Sequence, residues 1–88
     1  SWAILSEADL NMADLEGAIL VAADLSMANL REAVLSEAIL TGANLREANL
    51  GMADLAWANL SGTKVTSEQL DKAASLKGAT MPDGTKHE

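Results

Sequence analysis

The residues here that could do chemistry are carboxylates, and they recur at a fixed beat. Asp9, Asp14, Asp24 and Asp54 stand at one place of a five-residue unit, and Asn29, Asn44, Asn49 and Asn59 stand at the same place in other units. Such a row could hold a divalent cation or imitate the phosphates of a nucleic acid. The same side chains also accept backbone N–H bonds at bends and so fix turns. Because Asn interrupts the charge, turn-making is the role assigned to them. The single histidine, His87, sits beside Glu88 in a polar tail that is expected to fray rather than bind metal. The sequence has no Ser-His-Asp set, no metal-ligand spacing and no phosphate-cradling glycine loop. Cysteine is absent, which removes disulfides, thiolate metal sites and a thiol nucleophile. The expectation is a chain with no catalytic residue, no cofactor and no metal.

What positions these side chains is the repeat itself. Residues 3–62 read in fives as AILSE, ADLNM, ADLEG, AILVA, ADLSM, ANLRE, AVLSE, AILTG, ANLRE, ANLGM, ADLAW and ANLSG. Every block opens with Ala and carries Leu third; the second place is Asp or Asn in eight blocks and Ile or Val in four. Composition alone would suggest helix. Yet a Leu every five residues advances about 140° around a helix and leaves no apolar stripe. On a flat strand an odd period throws successive leucines to opposite faces. One path keeps them together: a short extended piece and then a bend, once per block, winding into a coil. Leu and the Ala two residues before it point inward.

The number of blocks per turn follows from charge. Residues one coil apart stack about 4.8 Å from each other, where like charges repel. Three blocks per turn would set Asp9 on Asp24 and Glu32 on Glu47, and five would set Glu7 on Glu32. Four blocks per turn stack no two acidic residues: Met27 separates Glu7 from Glu47, and Val34 separates Asp14 from Asp54.

This A(D/N)LXX pattern resembles the pentapeptide repeat family. The resemblance implies an all-β fold, a right-handed quadrilateral (square) parallel β-helix solenoid of about three coils with a short C-terminal α-helical cap. The coils are expected at 3–22, 23–42 and 43–62, with a degenerate block, TKVTS, at 63–67. The β-helix thus covers 1–65, and a capping helix and tail cover 66–88. The expected core is Leu5, Leu10, Leu15, Leu20, Leu25, Leu30, Leu35, Leu40, Leu45, Leu50, Leu55 and Leu60.

Thr66 is a fair N-cap, with Gln69 as its capping-box partner. Leu70, Ala73 and Ala74 share a face of a helix expected over 67–77 and stopped by Gly78. That helix should lie across coil three and hide its leucines, and Pro82, Asp83 and Gly84 signal a turn. The run EQLDKAASLKGATMPDGTKHE resembles the C-terminal cap of cyanobacterial members of the family.

No polar unit covers the other end. The reading is a C-terminal piece of a longer repeat protein, able to form a homodimer through its uncapped N-terminal coil. Trp2 and Ile4 sit at that end. Ile19, Val21, Ile39 and Trp57 form an outward apolar strip, and together these six residues make the candidate interface. Arg31 and Arg46 are each followed by Glu, which reads as local charge balance.

A net charge of −7 argues against a nucleic-acid binder, and no apolar run is long enough to span a membrane. The expected function is a non-catalytic structural or protein-interaction module whose protein partner is not identified by the sequence. The alternative is an acidic DNA mimic acting on a type II topoisomerase such as gyrase, as in one subset of the family. No leader is visible, so the cytoplasm is the expected compartment, with a lumenal or periplasmic one following if a signal peptide was removed.

Overall fold

The computed structural model describes residues 4–87. Its chain path follows the five-residue unit. The second place is extended, the third points inward, and the fourth and fifth make a turn. At each turn the leucine carbonyl accepts the N–H of the next alanine, as from Ala13 to Leu10 at 2.9 Å and from Ala33 to Leu30 at 3.0 Å. The fifth residue is left-handed, as in a type II turn. Nine of these corners carry a side chain, from Glu7 at φ 62° to Trp57 at φ 63°; Gly17, Gly42 and Gly62 occupy the others. Each non-glycine corner costs roughly 1–2 kcal/mol, which the turn bond and the stacking above and below must offset.

Parallel bridges then join second-place residues twenty apart: Asp9 with Asn29, Asp14 with Val34, Ile19 with Ile39, Asp24 with Asn44. Four blocks therefore close one turn, the register that keeps carboxylates apart. Three bonds per block hold the stack, one of them from the fifth-place N–H to the fourth-place carbonyl of the coil below, as from Met12 to Arg31 at 2.9 Å. The third-place N–H donates to the coil below, as from Leu10 to Asn29 at 2.8 Å, and the second-place N–H donates to the coil above, as from Asn29 to Ala8 at 2.9 Å. The coil has four walls. The first is built from blocks beginning at residues 3, 23, 43 and 63, the second from those at 8, 28 and 48, the third from 13, 33 and 53, and the fourth from 18, 38 and 58.

The eight leucines from Leu25 to Leu60 are the largest fully buried side chains, and the alanines between them are buried as well. Leu5, Leu10, Leu15 and Leu20 depart from the expected core, being only half-buried. No layer stands above them among the described residues, so each is covered from one side only.

The C-terminal part differs more. The helix α1 runs Ser67–Asp71, five residues, and not over 67–77. The expected capping box is in place. The Gln69 N–H donates to the Thr66 hydroxyl at 3.1 Å, and the Thr66 N–H donates to Gln69 Oε1 at 2.9 Å. After Lys72 the chain rejoins the ladder. Ala74 N–H donates to Ala53 O at 2.7 Å, Leu55 N–H to Ser75 O at 2.9 Å and Leu60 N–H to Thr80 O at 2.8 Å. The bridges Asp54–Ser75 and Asn59–Thr80 are offset by twenty-one residues. Thus ASLKG and ATMPD are two further blocks, extending the third and fourth walls. A helix continued to Lys77 would leave the lower edge of coil three unpaired, and buried backbone groups demand partners.

Leu70 is buried and Ala73 half-buried, but Ala74, expected on the covering face, is exposed. It is the first residue of a block in the lowest layer. Ala79, its counterpart on the fourth wall, is fully buried. The tail makes that difference, and it is paired, not frayed: His87 N–H donates to Ala79 O at 2.7 Å, and Gly78 N–H donates to His87 O at 2.8 Å.

Candidate functional site

All eight second-place Asp and Asn side chains spend an oxygen on their own turn. Each Oδ1 accepts the N–H two residues on, from Asn11 to Asp9 at 3.2 Å through to Ser61 to Asn59 at 3.0 Å. Asp and Asn do this with the same geometry, so the position requires an acceptor and not a charge. At Asp24 the Ser26 hydroxyl at 2.7 Å and then the Ser26 N–H hold the carboxyl below the ordinary aspartate range. That contribution is present at neutral pH and lost as pH falls through the lowered folded value. Among the described residues, no group of three or more His, Cys, Asp or Glu side chains is placed to hold a metal ion. The Arg31–Glu32 pair is an exposed contact at 3.5 Å, worth under about 1 kcal/mol.

A groove of about 410 Å³ lies between coil three and α1 and is lined by Glu47, Asn49, Thr66, Glu68, Gln69 and Lys72, among others. Asn49, Thr66 and Gln69 commit polar atoms to the fold there. In the coils above, each first-place carbonyl accepts a second-place N–H from below; at Ala48 the helix has withdrawn that donor. Gln69 Nε2 takes the rung instead, donating to Ala48 O at 2.9 Å and to Leu45 O at 2.7 Å. The sequence signals Gln69 as a capping-box residue; its second task, tying the cap to coil three, has no local signal.

The apolar candidates separate. Ile19 and Ile39 are directly bridged on the fourth wall, at 74% and 38% exposure, with Val21 beside them. Ile4, also exposed, is on the first wall, bridged to Asp24. Trp2 lies outside the described residues. Trp57 stands at the corner between the third and fourth walls. Its six-membered ring fills the space that a Cβ on Gly78 would need, and Gly78 is left-handed at φ 71°. Trp57 is thus partly a structural contact. Gly78→Ala should lower stability by roughly 1–2 kcal/mol through the left-handed backbone alone, and should also shift tryptophan emission as the ring is displaced. Unchanged emission and an unchanged denaturation midpoint would refute the contact.

At the upper end, the backbone is an open edge. The N–H groups of Asn29, Val34 and Ile39 donate to Ala8, Ala13 and Ala18. The corresponding groups of Asp9, Asp14 and Ile19 have no coil above them among the described residues. Such an edge is a template for another strand.

The model of the pentapeptide repeats family matches residues 1–20 and 23–62 in eight copies. Among solved structures, the chain is similar to alr5209, a pentapeptide repeat protein from Nostoc PCC 7120. That similarity has 30% identity and a TM-score of 0.74, and covers 91% of this chain and 65% of that one. It is also similar to HetL, a pentapeptide repeat protein involved in heterocyst differentiation regulation from the cyanobacterium Nostoc sp. strain PCC 7120. Here identity is 42% and the TM-score 0.65, over 98% of this chain and 41% of HetL. The chain therefore spans less than two thirds of the length of either. No curated protein matches it in sequence.

Proposed function

The chain belongs to the pentapeptide repeat family, and from that premise we propose that it is a non-catalytic structural and protein-interaction module. In this reading it is a right-handed quadrilateral β-helix of about three coils with a short helical cap, the C-terminal part of a longer repeat rod. Its working surfaces are the open upper edge and the apolar part of the fourth wall. The observation that carries the reading is the contrast between half-buried Leu5, Leu10, Leu15 and Leu20 and the fully buried leucines below them. An apolar layer covered from one side favours whatever adds a further layer, in chain or from a second copy. The shares of alr5209 and HetL that the chain covers support a longer rod. HetL is involved in heterocyst differentiation regulation, and a regulatory contact made through coil surfaces is the kind of role proposed here.

Light scattering on the 88-residue chain is the test. A homodimer joined through the upper coil should appear as concentration rises, and the same sample should leave gyrase supercoiling untouched at micromolar protein. A monomer at every concentration would remove the end-to-end contact. Inhibition or protection of supercoiling would replace the module reading with the DNA-mimic one.

A further inference from the structure

The walls differ in charge. The first holds Glu7, Asp24, Arg46, Glu47 and Lys64, the second Asp9, Arg31 and Glu32, and the third Asp14, Glu16, Asp54, Lys77 of its lowest block, and Glu37 at the corner it shares with the fourth. The fourth reads AILVA, AILTG and ANLSG, continued by ATMPD; its upper three layers carry no ionisable side chain, Asp83 stands at its lower corner, and Lys86 is bridged to Thr80 along its lower edge. At its far edge the corner residues of the upper three layers are all small: Ala22, Gly42 and Gly62. Its upper half is apolar, with Ile19, Val21 and Ile39 exposed.

We propose that the fourth wall is a homotypic contact, at which two copies of this chain pack wall to wall about a two-fold axis near Thr41. This rests on the interaction-module reading and names the partner for that wall. Charge selects the occupant. Each copy carries −7 overall; pairing through the third wall sets carboxylates against carboxylates, and pairing through the first or second requires their few basic side chains to meet acids in register. A basic partner would instead be drawn to the acidic walls. The uncharged wall is the surface where two like-charged chains meet without opposed carboxylates. A two-fold contact is self-complementary, which a wall of small and β-branched side chains satisfies. Four layers at about 4.8 Å and a similar width give roughly 400 Å² per copy, or roughly 800 Å² in all. That is below the standard size for a stable complex, so the dimer is a weak one, seen at high protein concentration. Salt strengthens it, because screening reduces the repulsion between the two net charges.

The chain has no cysteine, which makes cross-linking clean. Thr41→Cys places a thiol on the wall, and Glu16→Cys places one at the upper rim of the third wall. The expected result is cross-linking of Thr41→Cys by a short bismaleimide that rises with salt. Ile39→Asp should reduce the association at least ~tenfold, because it puts like charges across the contact. This variant keeps the fold, since Asp is a natural second-place residue here and its neighbours in the column are Ile19 and Asn59; an unchanged circular dichroism spectrum checks it. Association that survives Ile39→Asp, or that links only through Glu16→Cys, overturns the wall contact and leaves the end-to-end reading standing. A monomer at all concentrations and salts overturns the wall contact as well. Association that weakens with salt points to paired charges on another wall and likewise overturns it.

Discussion

Replacing Leu40 by Ala should cost about 2–5 kcal/mol of folding stability, and replacing Leu20 clearly less. The two residues occupy the same column of the fourth wall, one coil apart. Leu40 is fully buried, with Leu20 above it and Leu60 below. Truncating it removes its transfer energy and leaves a cavity that the rigid ladder cannot collapse, because backbone bonds on both sides fix the coil spacing. Leu20 is half-buried, so water already reaches it, and its loss widens an open surface. In a stack whose layers touch only their neighbours, the interior layer has two interfaces to lose and the end layer one. The measurement is denaturant unfolding of both variants, at dilutions where the wild-type chain is monomeric. Equal losses at the two positions would mean that the first coil is covered in solution. Against a typical domain stability of about 5–15 kcal/mol, the Leu40 change is large enough to threaten folding.

Gln69→Ala should cost about 2–3 kcal/mol, the sum of a lost cap and an orphaned carbonyl. One side chain performs three tasks. Its Oε1 accepts the Thr66 N–H, and its Nε2 donates to the carbonyls of Leu45 and Ala48. Leu45 O also receives the Ala48 N–H at 3.0 Å, so it keeps a partner. Ala48 O is the group left exposed to the loss. Gln69→Glu separates the roles: it retains the acceptor for Thr66 and replaces the donor with a carboxylate facing two carbonyls. It should destabilise at least as much as the alanine change. Hydrogen exchange should rise first in α1 and the blocks after it, with coil two unaffected. If Gln69→Glu matched the wild type in stability, the side-chain rung would be a minor contact.

The repeating part of the fold is legible because three constraints coincide there. A five-residue period excludes helix and flat strand, column charges choose four blocks per turn, and Asp or Asn marks the bends. The period holds in every block and the Asp or Asn in most, so Ala8 to Gly62 follows in register. The blocks ASLKG and ATMPD escape the same reading for a definable reason. Their register is moved by a single residue within EQLDKA, and the run from Gln69 to Lys77 has good helical propensity and an amphipathic face. Local preference favours helix; the unpaired lower edge of coil three recruits Ala74 to Pro82 as ladder instead, an energy term that no local window contains. The tail is similar: nothing in TKHE announces that His87 will pair with Gly78 and Ala79. The apolar strip was visible, but Trp57 in it answers to Gly78, whose contact across twenty-one positions depends on that same shift. The uncharged wall is readable from the residues alone once blocks are sorted by wall as well as by column.

The twenty-residue return also constrains how such a chain can lengthen in descent. Duplicating one block would keep every local bond type, yet it would turn all later blocks by a quarter revolution. Placed between Ile19 and Ile39, it would move Ile39 out of the column of Ile19, and the lower part of the neutral strip would shift to the next wall. Duplicating a whole turn would lengthen the strip and leave its composition intact. Lineages that keep a working side are therefore expected to grow and shrink by twenties. The one odd residue tolerated here is absorbed where α1 departs from the ladder, which makes that junction the place where single-residue insertions and losses should accumulate.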